Sequence, residues 1–198
     1  MKELKVKLTF TEEVLGTASN NPEIHDEFIA SKAPDAPSRA EEVEALGVDE
    51  VIEKDKTVFP KLKDGTPFVW DYQIRGFFKD TCSALRKVTG TKSSKIKAFK
   101  KEIDGLVFVK ERKIPFKNYG KLGNCQRPLR GQTAQGERIA LANSETVEAG
   151  SYIECTIVCL KDDLIGAVKE WLDYGVFRGL GQWRNSGKGR FEWEEIDV

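Results

Sequence analysis

The chain has 198 residues, 39% of them hydrophobic and 32% charged, which suits one globular domain or one domain carrying a sizeable insertion. No stretch approaches the roughly 20 apolar residues that span a bilayer, and the opening MKELKVKLTF lacks the apolar core of a secretory signal; membrane and secreted classes are disfavoured and a cytoplasmic location is expected. The net charge of zero conceals an asymmetry, because residues 1–64 carry 15 Asp/Glu against 9 Lys/Arg while residues 86–130 carry 14 Lys/Arg against 3 Asp/Glu, and a basic block of that kind is either a solvated face or a surface for a polyanion.

In chain order, Leu4, Val6, Leu8 and Phe10 alternate with Glu3, Lys5 and Lys7, the period-two pattern of a half-buried strand region ending near Gly16. Residues 17–56 turn polar and acidic and read as an insertion. Within it Asn21 and Pro22 open one short helix, and Ser38 with Glu41 forms a capping box for a second, closed by Gly47. Asp64-Gly65 and Thr66-Pro67 mark a turn. From Asp71, placed as a cap, Ile74, Phe77, Phe78 and Leu85 recur at helical spacing. A short basic helix is predicted over residues 94–103, a strand pair in GLVFVKERKIPF, and an apolar strand in SYIECTIVCL after the turn at Ala149-Gly150.

In DDLIGAVKEWLDYG, Leu164, Val168, Trp171 and Leu172 share one helix face, with Asp162 or Asp163 at the start and Gly175 as a left-handed stop. GRFEWEEIDV closes the chain as an edge-like strand. The order strand, insertion, helix, strand, strand, helix, strand predicts an α+β fold. Its core would be a ferredoxin-like (RRM-like) split βαβ unit, with an antiparallel sheet, both helices on one face, and a largely helical insertion after the first strand. The other sheet face would be the open binding surface.

Cys155 and Cys159 are spaced to share a strand face, and with Cys82 and Cys125 they read as reduced core thiols. The sole histidine, His25, lies far from every cysteine, so neither a structural metal nor another cofactor is expected. His25 stands beside Asp26 in the insertion and reads as a surface or capping residue; neither it, Asp26 nor Asp35 belongs to a recognisable acid–base arrangement, so no catalytic residue is assigned and the chain is read as a non-enzyme.

The polyanion chemistry is concentrated elsewhere. GLGQWRNSGKGRFEW interleaves Gly179, Gly181, Gly187 and Gly189 with Arg178, Arg184, Lys188 and Arg190. Glycine lets backbone N–H groups come close to an anion, and guanidinium forks grip phosphates. Trp183 in that loop either stacks on an unpaired base or plugs the core. Arg127, Arg130 and Arg138 lie in a second expected loop. Arg86, Lys87, Lys92, Lys95, Lys97, Lys100 and Lys101 form a run without acidic residues, which suits a solvated face as well as RNA. Trp70 and Tyr72 beside a helix start read as packing residues.

Three segments in register resemble the RAMP superfamily, whose members include the backbone subunits of type III CRISPR effector complexes. DGTPFVWDYQIRGFFKDTCSALRK is similar to the family's turn, Pro-aromatic stretch and Gly-containing helix start, with Pro67, Gly76 and Arg86 in those places. Where the family carries Pro-Gly-Ser-Ser, this chain has Trp70-Asp71-Tyr72-Gln73, and Asp71 would repel a phosphate there. CQRPLRGQTAQGERIALANSETVEAGSYIECTIV resembles the loop, Glu, Gly and strand pattern before the third core strand, with Glu145 and Gly150 matching. The Gly/Arg segment is similar to the family's glycine-rich loop.

The resemblance covers residues 64–193 and leaves 17–56 without a counterpart. It implies a single-stranded RNA partner, with homo-oligomerisation or other effector subunits as further partners. The competing expectation is a phage or mobile-element anti-defence protein that mimics a CRISPR subunit or sequesters a small nucleotide. An RNA-processing nuclease is disfavoured by the missing histidine.

Overall fold

A computed structural model describes residues 1–19, 56–133 and 136–197 of the chain. In order, these form β1 (Lys2–Phe10), β2 (Val14–Leu15), β3 (Ala18–Ser19), β4 (Thr57–Val58), β5 (Phe68–Trp70), α1 (Asp71–Leu85), α2 (Phe99–Leu106), β6 (Val107–Val109), β7 (Lys113–Pro115), β8 (Gly123–Thr133), β9 (Gly136–Val147), β10 (Tyr152–Cys159), α3 (Leu164–Asp173) and β11 (Phe191–Glu195). The alternation in β1 does what period two requires: Leu4, Val6, Leu8 and Phe10 are buried and their neighbours are not.

The main sheet has the order β11-β1-β10-β6 and is antiparallel throughout. Counting only its own strands, that is fourth, first, third, second, with α1 following the first and α3 the third. Both helices cover one face. Ile74, Phe77, Phe78 and Cys82 from α1, and Leu164, Val168, Trp171 and Leu172 from α3, share a core with the inward residues of β1 and β10; the Phe78 and Trp171 rings are 5.5 Å apart. Cys155 and Cys159 face this core together.

A knot of hydrogen bonds around buried Ser93 ties the basic turn to α3. Glu170 accepts from the Ser93 hydroxyl (2.6 Å) and from the backbone N–H of Lys92 (2.7 Å), while the Trp171 indole donates to Ser93 Oγ (2.8 Å).

Several local expectations are corrected. The residue before α1 is Trp70, whose N–H is taken by the Gln73 side chain at 2.8 Å; Asp71 is instead the first helical residue, buried and paired with Arg112. The basic segment 94–103 is broken into a 3-10 turn at Ser93–Lys95 followed by α2. Strands β6 and β7 do not pair with each other, because β6 joins β10 and β7 joins β5. Gly175 continues into a 3-10 turn, Tyr174–Val176, after α3, and its lack of a side chain admits the Phe191 ring. Cys125 is half-buried on β8 and lies outside the core.

The largest departure lies between residues 123 and 147, where a loop was expected. Here β8 and β9 form a long antiparallel hairpin, in register from Gly123↔Thr146 to Thr133↔Gly136. Strand β9 also pairs with β2 and β4. Strands β3 and β4 pair antiparallel, Ala18 opposite Val58 and Ser19 opposite Thr57. The two ends of the expected insertion therefore meet at one point. Glu145 fastens that point by accepting from the Phe59 N–H (3.0 Å) and the Lys61 amine (2.9 Å), while its own carbonyl accepts from the Gly16 N–H (2.8 Å). The two helices expected within the insertion, with His25, Asp26 and Asp35, lie outside the described residues.

Candidate nucleic-acid interface

The Gly/Arg segment after α3 folds back on itself. Leu180 N–H donates to the Gly189 carbonyl at 2.9 Å, and Gly189 N–H donates to the Glu13 carbonyl at 2.8 Å. A Cβ on Gly179 would enter the Gly189 backbone, one on Gly189 would enter the Leu180 carbonyl, and one on Gly181 would come within 2.8 Å of the Leu15 carbonyl. Gly181, Gly187 and Gly189 also sit at φ +83°, +87° and +70°, a region that side chains disfavour. Three of the four glycines thus serve crossings of backbone over backbone, which hold the loop against residues 13–16.

The loop's cations are arranged around two acidic groups. Arg178 and Arg184 both bind the carboxylate of Asp80, on α1; the Arg184 contact is 3.0 Å, and Arg178 also donates to the Asn185 side chain at 3.1 Å. Lys188 pairs with Glu13 at 2.7 Å, and this hydrogen bond raises the pKa of its amine. Arg190 is exposed, and its guanidinium would stand 3.3 Å from a Cβ on Gly187.

Trp183 does not plug the core. It is half-buried in a left-handed conformation, φ 55°, rare for a bulky residue, and the Arg127 guanidinium lies 4.2 Å from its ring centre. Arg127, buried on β8, donates to Gln182 (3.2 Å), and Gln182 donates to the Gly16 carbonyl (3.0 Å). Among the described residues, Nε and Nη1 of Arg127 are buried without a hydrogen-bond partner. Arg130 and Arg138 belong to strands, on the backbone positions paired with Ile139 and Gly131; their side chains lie outside the described residues.

Two shallow clefts meet at Arg178. One, about 330 Å³, is lined by Gly181, Gln182, Trp183, Arg184 and Asn185; the other, about 240 Å³, by Asp80, Ser83, Lys87 and Tyr174. Lys87 thereby connects the central basic run to the loop. Lys95, Lys97, Lys100 and Lys101 are exposed beyond it.

The open face of the main sheet is different. Its Lys7 pairs with Glu194 (2.8 Å), Lys117 with Glu154 (2.7 Å) and Lys110 with Glu3 (3.4 Å), and Glu192 is exposed on the same side. Each of these three lysines has its own carboxylate partner, whereas at the clefts Arg178, Arg184 and Lys87 stand around the single carboxylate of Asp80.

No family model matches the chain, and no curated protein matches it. Solved structures do. A chain in the cryo-EM structure of the type III-B Cmr-beta bound to cognate target RNA matches with a TM-score of 0.55 at 12% identity, over all of this chain and 61% of that one. The chain therefore spans less than two thirds of that neighbour's length. The crystal structure of oligomeric Cmr4 from Pyrococcus furiosus matches at 11% identity over 100% of both chains, with a TM-score of 0.47.

The chain shares the fold of that chain of the type III-B Cmr-beta structure. Three residues that organise the Gly/Arg loop escaped sequence reading. Asp80 has the spacing of an ordinary solvated helix residue, and Glu13 and Gln182 bear no motif. Only tertiary contact assigns them. Tyr72, read as a packing residue, is exposed, and Trp70 is half-buried at the rim of the core.

Proposed function

We propose that the protein is an RNA-binding RAMP-like protein that holds the backbone of a single-stranded RNA on its helix side. Arg178, Arg184, Lys188 and Arg190 of the Gly/Arg loop, together with Lys87 of the basic central run, supply the phosphate contacts, and Trp183 supplies a stacking surface. We read the sheet order as the split βαβ arrangement of a ferredoxin-like domain, with residues 17–56 as an acidic lobe that docks on a neighbouring subunit or a second copy along the RNA.

One observation carries the reading. Two arginines that share the one carboxylate of Asp80 and an aromatic–guanidinium pair converge at one spot beside Lys87, whereas Lys7 and Lys117 on the sheet's open face each have a carboxylate of their own. The fold likeness to a chain in an RNA-bound structure supports it.

The test is fluorescence anisotropy of labelled single-stranded RNAs of several lengths at two salt concentrations, with an Arg184→Ala/Arg190→Ala variant alongside. Affinity should rise with length, fall steeply with salt because neutralised phosphates release counterions, and drop in the variant. Affinity that stops rising at one to three nucleotides would replace RNA by a small nucleotide ligand, and no binding at any length would sink the reading.

A further inference from the structure

Tyr72 is 51% exposed, yet it is not isolated. Its ring is stacked with Trp70 at 6.4 Å and 16°, and Trp70 in turn meets Phe68 edge-on at 4.8 Å. The Arg112 guanidinium stands 5.2 Å from the Trp70 ring centre and 6.0 Å from that of Tyr72, and the Lys113 amine is 5.4 Å and 5.6 Å from Phe68 and Trp70. The pairing of β5 with β7, Trp70 opposite Lys113, builds this ladder. Asp71, mostly buried, holds Arg112, whose side chain is nevertheless 65% exposed. A fixed aromatic step rimmed by two cations is the chemistry of a position for an unpaired base and its phosphate.

The step is aligned with the interface described above. Tyr72, Gly76, Asp80 and Ser83 recur at three- and four-residue spacing on one stripe of α1, as 3.6 residues per turn requires, and Lys87 follows in the turn just past its end. Tyr72 lies eight residues, or about 12 Å, before Asp80 along the helix, and Lys87 lies beyond it. Gly76, with open space where its side chain would be, leaves the surface clear between them. We propose that Tyr72, supported by Trp70 and Arg112, is a base-stacking site for single-stranded RNA running along this stripe, a second contact distinct from Trp183. The inference rests on the RNA-binding reading and adds a residue, a direction and a chemical role.

The deciding experiment is anisotropy binding of a single-stranded RNA of about 12 nucleotides to the unaltered protein, Tyr72→Phe, Tyr72→Leu, Tyr72→Gln and Arg184→Ala, each checked by thermal melting. Stacking predicts that Tyr72→Phe binds like the unaltered protein, while Tyr72→Leu and Tyr72→Gln, lacking a π-face, bind roughly 5- to 150-fold more weakly with unchanged melting. If both bind as tightly as the unaltered protein while Arg184→Ala is weakened, the Tyr72 site is wrong and the loop reading survives. If the unaltered protein binds no RNA, both fail.

Discussion

The Arg127 guanidinium lies over the Trp183 ring, 4.2 Å from its centre, and the contact joins the β8–β9 hairpin to the Gly/Arg loop. Two buried nitrogens of the same guanidinium have no hydrogen-bond partner among the described residues. Removing a cation–π contact costs about 0.5–2 kcal/mol, but removing unsatisfied buried donors offsets part of that. Arg127→Met is therefore expected to change stability in denaturant by less than about 1 kcal/mol while weakening RNA binding by more than its effect on stability explains. A loss of several kcal/mol would show Arg127 to be a keystone of the fold.

Asp80 occupies both arginines of the loop. At a site about a third exposed, an ion pair contributes only about 0.2–1 kcal/mol. Asp80→Asn should therefore lower the melting temperature slightly, yet tighten RNA binding and steepen its salt dependence by about one phosphate equivalent, since one more positive charge is available. Weaker binding by a folded Asp80→Asn protein would mean that Asp80 positions the arginines rather than competes for them.

Two glycines predict opposite outcomes for one substitution. At Gly189, φ is +70° and a Cβ would enter the Leu180 carbonyl, so Gly189→Ala should destabilise by about 2–5 kcal/mol. Gly76 lies in an exposed part of α1 with nothing within 4 Å of a Cβ, and Gly76→Ala should stabilise by about 0.5–1 kcal/mol. Chemical denaturation of the two variants tests both, and a stable Gly189→Ala protein would refute the crossed-backbone account.

Ser19 and Thr57 are directly opposite in an antiparallel pair, which is where a two-residue turn closes a hairpin. Replacing residues 20–56 by Asn-Gly should leave a cooperative melt within about 4 °C of the full chain, a shift of about 1–2 kcal/mol at this size. Loss of cooperativity would show that the core depends on the removed segment.

Burial pushes the thiol pKa of Cys155 up to about 12 and that of Cys159 up to about 11, and desolvation raises that of Cys82. At pH 8 these remain protonated and sheltered, and the thiolate is the reactive form. Iodoacetamide should modify half-buried Cys125 in the native protein and the other three only after unfolding, as counted by mass spectrometry. Native labelling of Cys155 or Cys159 would contradict the core packing.

The sequence by itself determined the elements whose signal is local and repeated. Alternation in β1 and β10, and helical spacing in α1 and α3, mark which face is apolar, and burying those faces against one another leaves few arrangements. It also marked the Gly/Arg loop, because glycine and arginine have distinctive backbone and donor chemistry. It missed the β8–β9 hairpin, since Pro128, Gly131 and the polar residues around them suppress the apolar alternation by which a strand is recognised, whereas an edge strand such as β8 tolerates proline. Only the tertiary structure decided what the loop's cations touch. Asp80 lies about a hundred residues before Arg178 and Arg184, Glu13 still further from Lys188, and Trp70, Tyr72 and Arg112 meet only because β5 pairs with β7. Periodicity reports on neighbours three or four residues apart, and charge pairing across the fold depends on how the elements are brought together.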